Sequence, residues 1–305
     1  MLMKYLIDKN AHILYEFDPQ YEFTPQDASQ SSESPGHPTG SLVWQHTINM
    51  FDDSSSPHQT SLAHLFTPEF WKTRQAIVRT APGRGESLFV SPEQLFSSPL
   101  TCDEQSAPHP NGKGEEWVLR PYRRGGMIAR INAQRYLWMG VERTRAFQEL
   151  RLTNTLREQG LPVPEVLGAC VWKKGLTYEA ALMSVRISGA QPLADKIAGL
   201  ATPKTQDLDT LRALLQHVGT IIRQAHDLGL DHVDLNARNI LVDRNMQAWI
   251  IDLDRCRLRT RQNYKKDNIQ KWQKNNLERL GRSLEKFFSG KGNALLKQIE
   301  QGYNR

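Results

Sequence analysis

The sequence predicts an α+β fold built from two lobes, an N-terminal lobe with an antiparallel sheet and a mainly helical C-terminal lobe. Three observations lead to this prediction. Short β-prone runs bounded by turn residues dominate the chain up to residue 187. Two neighbouring runs are joined by a turn, as an antiparallel hairpin requires. The clearest helical pattern comes later, from about Thr205 to Leu228, where apolar residues recur every three or four positions and form one face.

The elements of the N-terminal lobe can be placed in order. Residues 76–90 contain two β-prone runs on either side of APGRGE, which is typical of a hairpin with a glycine-containing turn, and residues 117–120 predict a third strand. The run from Glu142 to Arg157 has apolar residues at helical spacing and stops before Gly160, so it predicts a helix. Further extended segments are predicted at 163–171 and 178–187.

The composition divides the chain into three parts: an N-terminal extension (1–62), the sheet lobe (63–187) and the helical lobe (188–305) with a basic tail. Residues 25–61 contain 9 Ser and 4 Pro, which predicts that the extension is partly irregular. A second turn-rich stretch, 97–116, predicts a flexible insertion within the sheet lobe.

Basic residues are concentrated at the C-terminus. The 305 residues carry 39 Lys and Arg against 33 Asp and Glu, and residues 257–305 alone contain 13 basic and 4 acidic side chains. Such a tail favours a phosphate-bearing partner, whether nucleic acid, anionic lipid or a phosphorylated saccharide. A solvated helical face would have the same composition.

Several classes of protein are excluded by composition. Apolar residues make up 39% of the chain, too many for a protein that is disordered throughout. No apolar run approaches the roughly 18 residues of a membrane-spanning helix. Charged residues interrupt the first twenty positions, so we expect no secretory signal and a cytoplasmic protein. The three cysteines lie far apart and match neither a disulfide framework nor a CxxC metal site.

Polar side chains flank a predicted hairpin in the C-terminal lobe. Residues 232–239 read HVDLNARN and precede two short apolar runs, ILV and AWII, that a polar turn joins. If the hairpin is centred between residues 245 and 246, Asn239 and Asp252 lie opposite each other, about 5 Å apart. Two oxygen ligands at that separation suit Mg²⁺. Asp234 on the preceding loop then lies near the metal, where an acceptor hydroxyl needs a proton acceptor.

Each of these residues alone is common in turns and at strand ends, so only their joint spacing indicates a function. That spacing resembles the HxDxxxxN catalytic loop and the later metal-binding aspartate of the protein-kinase-like superfamily. The resemblance implies a bilobal protein-kinase-like fold that uses ATP and Mg²⁺. It implies that Asp234 positions the attacking hydroxyl and that Asn239 and Asp252 hold Mg²⁺ against the ATP phosphates. His232 would brace the loop.

More narrowly, the chain is similar to the lipopolysaccharide kinase family. The similarity covers most of residues 64–290 in consistent order. The matching segments are GRG at 83–85, VLRPYRRGG at 118–126, RYLWMGVERTRAFQELRL at 135–152, GLPVPEVLGA at 160–169, HVDLNARNILVD at 232–243, WIIDLDRCRLR at 249–259 and NLERLGRSL at 276–284.

The resemblance also implies nucleotide-binding residues in the N-terminal lobe. Gly83, Arg84 and Gly85 would form the turn over the nucleotide phosphates. Arg120 stands in the place of the strand lysine that contacts the α- and β-phosphates, and Glu149 in that of its helix partner. Arginine can bind a phosphate with two hydrogen bonds, but it is longer than lysine and planar.

The C-terminal lobe departs from an ordinary protein kinase at two positions. Asn236 occupies the place of the loop lysine, and we include it in the catalytic loop. Asp254 replaces the glycine of the Asp-Phe-Gly motif, so it could join the metal ligands or pair with the arginines of 255–261. No Ala-Pro-Glu segment follows, and the short remainder of the chain favours a small or lipid-linked acceptor.

For the whole protein, the resemblance implies transfer of the γ-phosphoryl group of ATP to the 4-hydroxyl of 3-deoxy-D-manno-octulosonic acid (Kdo) on a Kdo-lipid A precursor. The acceptor is part of an inner-membrane lipid, so we expect peripheral attachment to the cytoplasmic face of that anionic membrane through the basic tail. The sequence does not determine the oligomeric state.

Three alternatives remain open. One is a kinase of core heptose or another small alcohol. Another is a glycosyltransferase that uses residues 252–254 as a DxD metal motif, although this leaves Asp234 and Asn239 unexplained. The third is a non-catalytic pseudokinase or binding module. We expect no nucleic-acid partner, since the sequence lacks the aromatic and basic pattern of a known nucleic-acid fold.

Overall fold

The chain forms two units in the computed structural model, which describes residues 2–17, 44–45, 47–48, 61–81, 87–95, 115–122, 136–200, 208–259 and 270–305. The first unit comprises Met1–Leu150 and Glu165–Arg186, and the second comprises Arg151–Pro164 and Ile187–Arg305. The predicted α+β class, with an antiparallel sheet in the N-terminal part and helices in the C-terminal part, is confirmed.

An antiparallel sheet of eight described strands dominates the first unit. The strands are β1 (Leu2–Asp8), β2 (Ala11–Phe17), β3 (Ile77–Ala81), β4 (Ser87–Val90), β5 (Trp117–Pro121), β6 (Tyr136–Leu137), β7 (Val166–Lys174) and β8 (Thr177–Val185). Their order is β1-β2-β7-β8-β5-β4-β3, and β6 pairs with β8. Helix α1 (Pro68–Thr73) lies between β2 and β3 in sequence, and α2 (Arg145–Glu158) between β6 and β7.

The centre of this sheet is buried on both faces. In β8, Met183 packs in an apolar cluster with Trp44 and Trp117, whereas the next residue back, Leu182, packs in a different cluster with Phe147 of α2. Successive side chains of a strand point to opposite faces, so the two clusters cover the two sides of the sheet. This explains why the central strands read as nearly continuous apolar runs.

Helices and short strand pairs form the second unit. Its further elements are β9 (Gln191–Pro192), α3 (Leu193–Leu200), α4 (Leu208–Asp227), β10 (Leu230–Asp231), β11 (Ile240–Val242), β12 (Ala248–Ile250), β13 (Arg257–Leu258), α5 (Lys271–Phe287) and α6 (Gly292–Tyr303). Strands β12, β11 and β9 form one small antiparallel sheet, and β10 pairs with β13. Helix α4 confirms the apolar face predicted from the sequence, since Leu214, Val218 and Ile222 are buried.

The two units differ from the lobes predicted by composition at two places. The extension 1–62 contributes β1 and β2 to the sheet, because alternate residues such as Ile13 and Tyr15 are buried in its core. Residues 151–164 belong to the second unit rather than to the first, since Leu156 and Leu161 pack in the core formed around α4. The Gly83 turn and nearly all of the 97–116 insertion lie outside the described residues.

Two glycines set the close approach of α4 and α6. A Cβ atom built on Gly219 would lie 1.9 Å from the backbone oxygen of Ile299, and one built on Gly302 would lie 1.9 Å from that of Gln216. Neither distance is possible for a real side chain, so the helices must separate if either glycine is replaced.

We therefore expect Gly219→Ala to lower the free energy of unfolding by about 1–3 kcal/mol, the usual cost of overpacking. The matched control is Gly199→Ala, also in a helix, where a new Cβ meets no atom of the described residues within 4 Å. This control should be neutral or slightly stabilising, because alanine favours helix over glycine. Denaturant unfolding of both variants measures the difference, and equal stabilities would contradict the packing argument.

No helix in the described ranges is long and apolar enough to cross a membrane.

Candidate active site

The loop between β10 and β11 is closed by two asparagine side chains. Asn236 and Asn239 each donate from Nδ2 to the backbone oxygen of Asp234, both at 2.9 Å. Asn236 Oδ1 in turn accepts from the backbone N–H groups of Arg238 and Asn239, at 2.8 and 3.2 Å. The side chain of Asp234 is exposed. The Asp234 carboxylate is thus accessible, while the side chains of Asn236 and Asn239 hold the backbone of the loop.

His232 braces this loop as a neutral imidazole. The ring lies 3.0 Å from the Ile251 carbonyl through Nε2 and 3.3 Å from the Asp234 backbone N–H through Nδ1. A carbonyl can only accept and an N–H can only donate, so Nε2 carries the hydrogen and Nδ1 does not. Burial lowers the pKa of His232, which is partly offset by its bond to Ile251 and by Asp252 and Asp234. The histidine is therefore suited to orient the loop and not to transfer protons.

The predicted hairpin exists, but its register is displaced by one residue from the prediction. Ile240 pairs with Ile250, and the Ile251 N–H donates to the Asn239 carbonyl at 3.0 Å. Asn239 is thus opposite Ile251 and not opposite Asp252. The turn is the physical reason: it has five residues, 243–247, and its first residue, Asp243, accepts from two backbone N–H groups of the turn. An odd-numbered turn moves the centre of the hairpin onto a residue.

Asp252 leaves the extended conformation at the end of this hairpin. Its φ is 61°, in the left-handed region that non-glycine residues occupy infrequently and that recurs at functional sites. The alternation of side chains along β12 therefore ends at this residue. Asp254, two residues on, lies 3.8 Å from the Arg255 guanidinium, so it pairs with one of the neighbouring arginines.

These residues suit a hard cation such as Mg²⁺. Asn239 uses Nδ2 to donate to the Asp234 carbonyl, so Oδ1 is the atom that could coordinate a cation. Together with the carboxylates of Asp252 and Asp254, this gives an all-oxygen set of donors, as Mg²⁺ prefers. In the described part of the chain, no group of three or more His, Cys, Asp or Glu side chains is placed to hold a metal ion.

Helix α5 supports the start of the loop through Asn276, which is buried. Its Oδ1 accepts from the His232 backbone N–H at 2.9 Å, and its Nδ2 donates to Asp231 Oδ1 at 3.1 Å and to the Trp272 carbonyl at 2.8 Å. The other oxygen of Asp231 accepts from Nε and Nη2 of Arg259, at 3.0 and 2.7 Å. The oxygen and the nitrogen of the Asn276 side-chain amide are therefore both hydrogen-bonded.

Further residues of α5 continue this support along the loop. Arg279 donates to the His232 carbonyl at 3.3 Å, and Ser283 Oγ accepts from the Ala237 N–H at 3.1 Å. Positions 276, 279 and 283 share one face of the helix because their spacing is three and four residues. No role was predicted for these three residues from the sequence. The signal was present as polar residues at helical spacing within NLERLGRSL.

In the first unit, Arg120 of β5 and Glu149 of α2 form the predicted ion pair. A third member, Tyr122, was not predicted; its buried hydroxyl donates to the other oxygen of Glu149. Burial raises the pKa of Tyr122 well above its ordinary value, and the Glu149 carboxylate raises it further. Glu149 is buried, and the Arg120 guanidinium and the Tyr122 hydroxyl both stabilise its carboxylate.

Arg120→Met should therefore destabilise the protein by about 2–4 kcal/mol, since it leaves a buried carboxylate without its cation. The double variant Arg120→Met/Glu149→Leu should regain most of that loss, because a neutral pair has no charge to compensate. Lys174→Met, which breaks the exposed pair with Glu179, is the control and should cost less than about 1 kcal/mol. Denaturant unfolding distinguishes these cases. A double variant no more stable than Arg120→Met would show that the charge is not the cause.

The chain has a strand arginine paired with a helix glutamate, then an HxDxxxxN loop, and then an aspartate after the next hairpin. This combination defines a phosphotransferase of the kinase type. A family model described as "Lipopolysaccharide kinase (Kdo/WaaP) family" matches residues 68–301, and the chain belongs to this family. It is accordingly an ATP-dependent phosphotransferase with an alcohol group as acceptor.

Curated relatives are similar to this protein over most of the chain. A 3-deoxy-D-manno-octulosonic acid kinase of Xanthomonas campestris pv. campestris (strain B100) is 38% identical over 245 residues, 80% of this chain and 82% of the relative. The protein of the same name from Stenotrophomonas maltophilia (strain R551-3) is 36% identical over the same shares. A solved structure described as WaaP in complex with acyl carrier protein has a TM-score of 0.46 and 12% identity, over 77% of this chain and 82% of that one.

Proposed function

We propose that this protein transfers the γ-phosphoryl group of ATP to the 4-hydroxyl of the Kdo residue on a Kdo-lipid A precursor. The observation that carries the proposal is the closed loop that presents Asp234, with Asn239 in the same loop and Asp252 at the end of the hairpin that follows. The choice of Kdo as acceptor is supported by the relatives named 3-deoxy-D-manno-octulosonic acid kinase. The 4-hydroxyl is inferred from resemblance to the family.

Each residue then has a separate task. Asp234 orients the acceptor hydroxyl and receives its proton as the new bond to phosphorus forms. Asn239 Oδ1 and the Asp252 carboxylate would hold Mg²⁺, with Asp254 available to assist. When bound, Mg²⁺ neutralises part of the negative charge of the ATP phosphates. In the first unit, Arg120 would contact the nucleotide phosphates, and Glu149 would orient the Arg120 guanidinium. By resemblance to the family, residues 83–85 would contact the phosphates as well.

The proposal is tested by incubating the purified protein with Kdo-lipid A precursor and ATP that is labelled in the γ-phosphate. We expect the label in the lipid, a mass increase of one phosphate, and a phosphorus-coupled proton at C4 in the NMR spectrum. A heptose acceptor is the parallel arm. Labelling of heptose and not of Kdo would overturn the choice of acceptor. A rise in melting temperature with a nucleotide sugar and not with Mg·ATP would indicate a glycosyltransferase instead.

Asp252→Asn should raise the Mg²⁺ concentration needed for half-maximal activity by at least about tenfold, because it removes a charged oxygen ligand. The same variant should lose most of the stabilisation that Mg·ATP gives against thermal unfolding. Asp254→Asn is the comparison: a smaller effect would show that Asp254 mainly pairs with Arg255. An unchanged Mg²⁺ requirement in the Asp252 variant would show that the metal is held elsewhere.

We also propose that the protein binds peripherally to the anionic cytoplasmic face of the inner membrane. The support is a set of exposed cationic side chains on and around α5 and α6. They include Lys271, Lys274, Arg282, Lys286, Lys291 and Lys297. Co-sedimentation should occur with vesicles containing phosphatidylglycerol, weaken with salt, and be absent with phosphatidylcholine alone. Equal binding to both vesicle types would contradict an electrostatic attachment.

A further inference from the structure

One exposed cation lies inside the catalytic loop and has no role in the proposed mechanism. Arg238 precedes Asn239 directly, and its side chain is exposed. Its guanidinium carbon lies 5.2 Å from the ring centroid of Phe287, the last residue of α5. A guanidinium within about 6 Å of an aromatic centroid is held there by the ring. Among the residues that the structure describes, it makes no ion pair with a carboxylate.

The contact with Phe287 continues the row of contacts between α5 and the loop. Ser283 accepts from the N–H of Ala237, and Phe287, one helical turn later, contacts the side chain of the next loop residue, Arg238. Residues one turn apart on α5 thus contact consecutive residues of the loop. The helix that holds the loop backbone also positions the Arg238 guanidinium. An arginine fixed in this way loses less rotamer freedom when it binds a ligand.

Arg238 lies in the same hydrogen-bonded loop as the proposed base, because the Asn236 side chain donates to the Asp234 carbonyl and accepts from the Arg238 N–H. The Asn239 side chain lies 2.9 Å from the Asp234 carbonyl, and the Cα atoms of Arg238 and Asn239 are about 3.8 Å apart, as in any trans peptide. The loop therefore carries an exposed carboxylate at position 234 and an exposed cation, oriented by Phe287, at position 238. A molecule whose hydroxyl is oriented by Asp234 can place an anionic group at Arg238.

We propose that Arg238, positioned by Phe287, recognises the carboxylate of the acceptor sugar. This rests on the proposed function, in which the acceptor is an octulosonic acid and so carries a carboxyl group on the same ring as the reacting hydroxyl. The planar guanidinium donates two parallel hydrogen bonds to a carboxylate, and its edge stays available when one face packs on a ring. Arg238 then distinguishes an acidic sugar from a neutral one, such as a heptose without phosphate.

The direct test is binding, without phosphoryl transfer. The probes are the α-methyl glycoside of Kdo and its carboxyl methyl ester, titrated into the full chain and followed by NMR or calorimetry. Wild-type protein should prefer the acid over the ester by about tenfold or more, the usual value of a charge-assisted hydrogen-bonded pair. Arg238→Ala should remove this preference, and Phe287→Leu should reduce it. Arg212→Ala, at an exposed arginine of α4, should keep it.

Two binding results would overturn the inference: no preference for the acid in wild-type protein, or an unchanged preference in Arg238→Ala. The kinetic arm uses Kdo-lipid A precursor. Arg238→Ala should raise KM for this acceptor about tenfold and leave KM for ATP unchanged. The opposite pattern would make Arg238 a nucleotide contact and refute the inference. If wild-type protein fails to phosphorylate the lipid, the proposed function fails, whereas the binding arm still decides the role of Arg238.

Discussion

Asp234→Asn is expected to reduce kcat by about 10²-fold or more while the protein remains folded. General base residues contribute roughly 10²–10⁴ to rates, and an amide cannot accept the hydroxyl proton. The fold should tolerate the change because the loop uses only the backbone of this residue. The carbonyl of Asp234 accepts from two asparagines, and its N–H donates to His232.

The measurement is steady-state kinetics with saturating ATP, together with thermal unfolding. Asp195→Asn, an exposed aspartate of α3 in the same unit, is the control and should have wild-type activity. A variant that keeps both its melting temperature and its kcat would show that phosphoryl transfer here needs no carboxylate at position 234. Loss of melting temperature together with kcat would instead show that Asp234 has a structural role that its contacts do not reveal.

The second large effect is expected at Asn276. Asn276→Leu removes the acceptor of the His232 N–H and a donor to Asp231, and both partners are buried. Each buried group left without a partner costs about 1–3 kcal/mol, so the free energy of unfolding should fall by about 2–4 kcal/mol. The activity should fall as well, since His232 begins the loop that presents Asp234.

The neighbouring residue provides a close control. Asn275 is the same residue type on the same helix, but it is exposed. Asn275→Leu should change stability by less than about 0.5 kcal/mol and leave kcat unaltered. Denaturant unfolding and the kinase assay on both variants test the pair. If the two substitutions have equal effects, the buried hydrogen bonds of Asn276 do not hold the loop.

Residues close together in sequence were the ones that could be placed correctly in advance. Local patterns predicted strands β3, β4, β5, β7, β8, β11 and β12, the long helix and the loop from His232 to Asn239, and the structure contains them. No strand was predicted for the segment that forms β1 and β2. The hairpin register could not be obtained in this way. It depends on whether the turn has an odd or an even number of residues, and Asp243 decides this through side-chain bonds that no periodicity reports.

Partners distant in sequence were identified only in part. The resemblance to kinases led to the pair of Arg120 and Glu149, but Tyr122 was missed because a buried hydroxyl that binds a carboxylate has no sequence signature of its own. Asn276 was missed for a related reason. It lies 44 residues from His232, and a single buried asparagine in a helix is ambiguous until its partners are known.

The row of contacts from α5 has a consequence for shortened forms of the protein. A premature stop codon before residue 271 would remove at once the groups of α5 that contact His232, Ala237 and Arg238. Such a product would still contain the whole HxDxxxxN sequence and would nevertheless be inactive. In genomes, an intact motif in a truncated reading frame is therefore insufficient ground for assigning kinase activity.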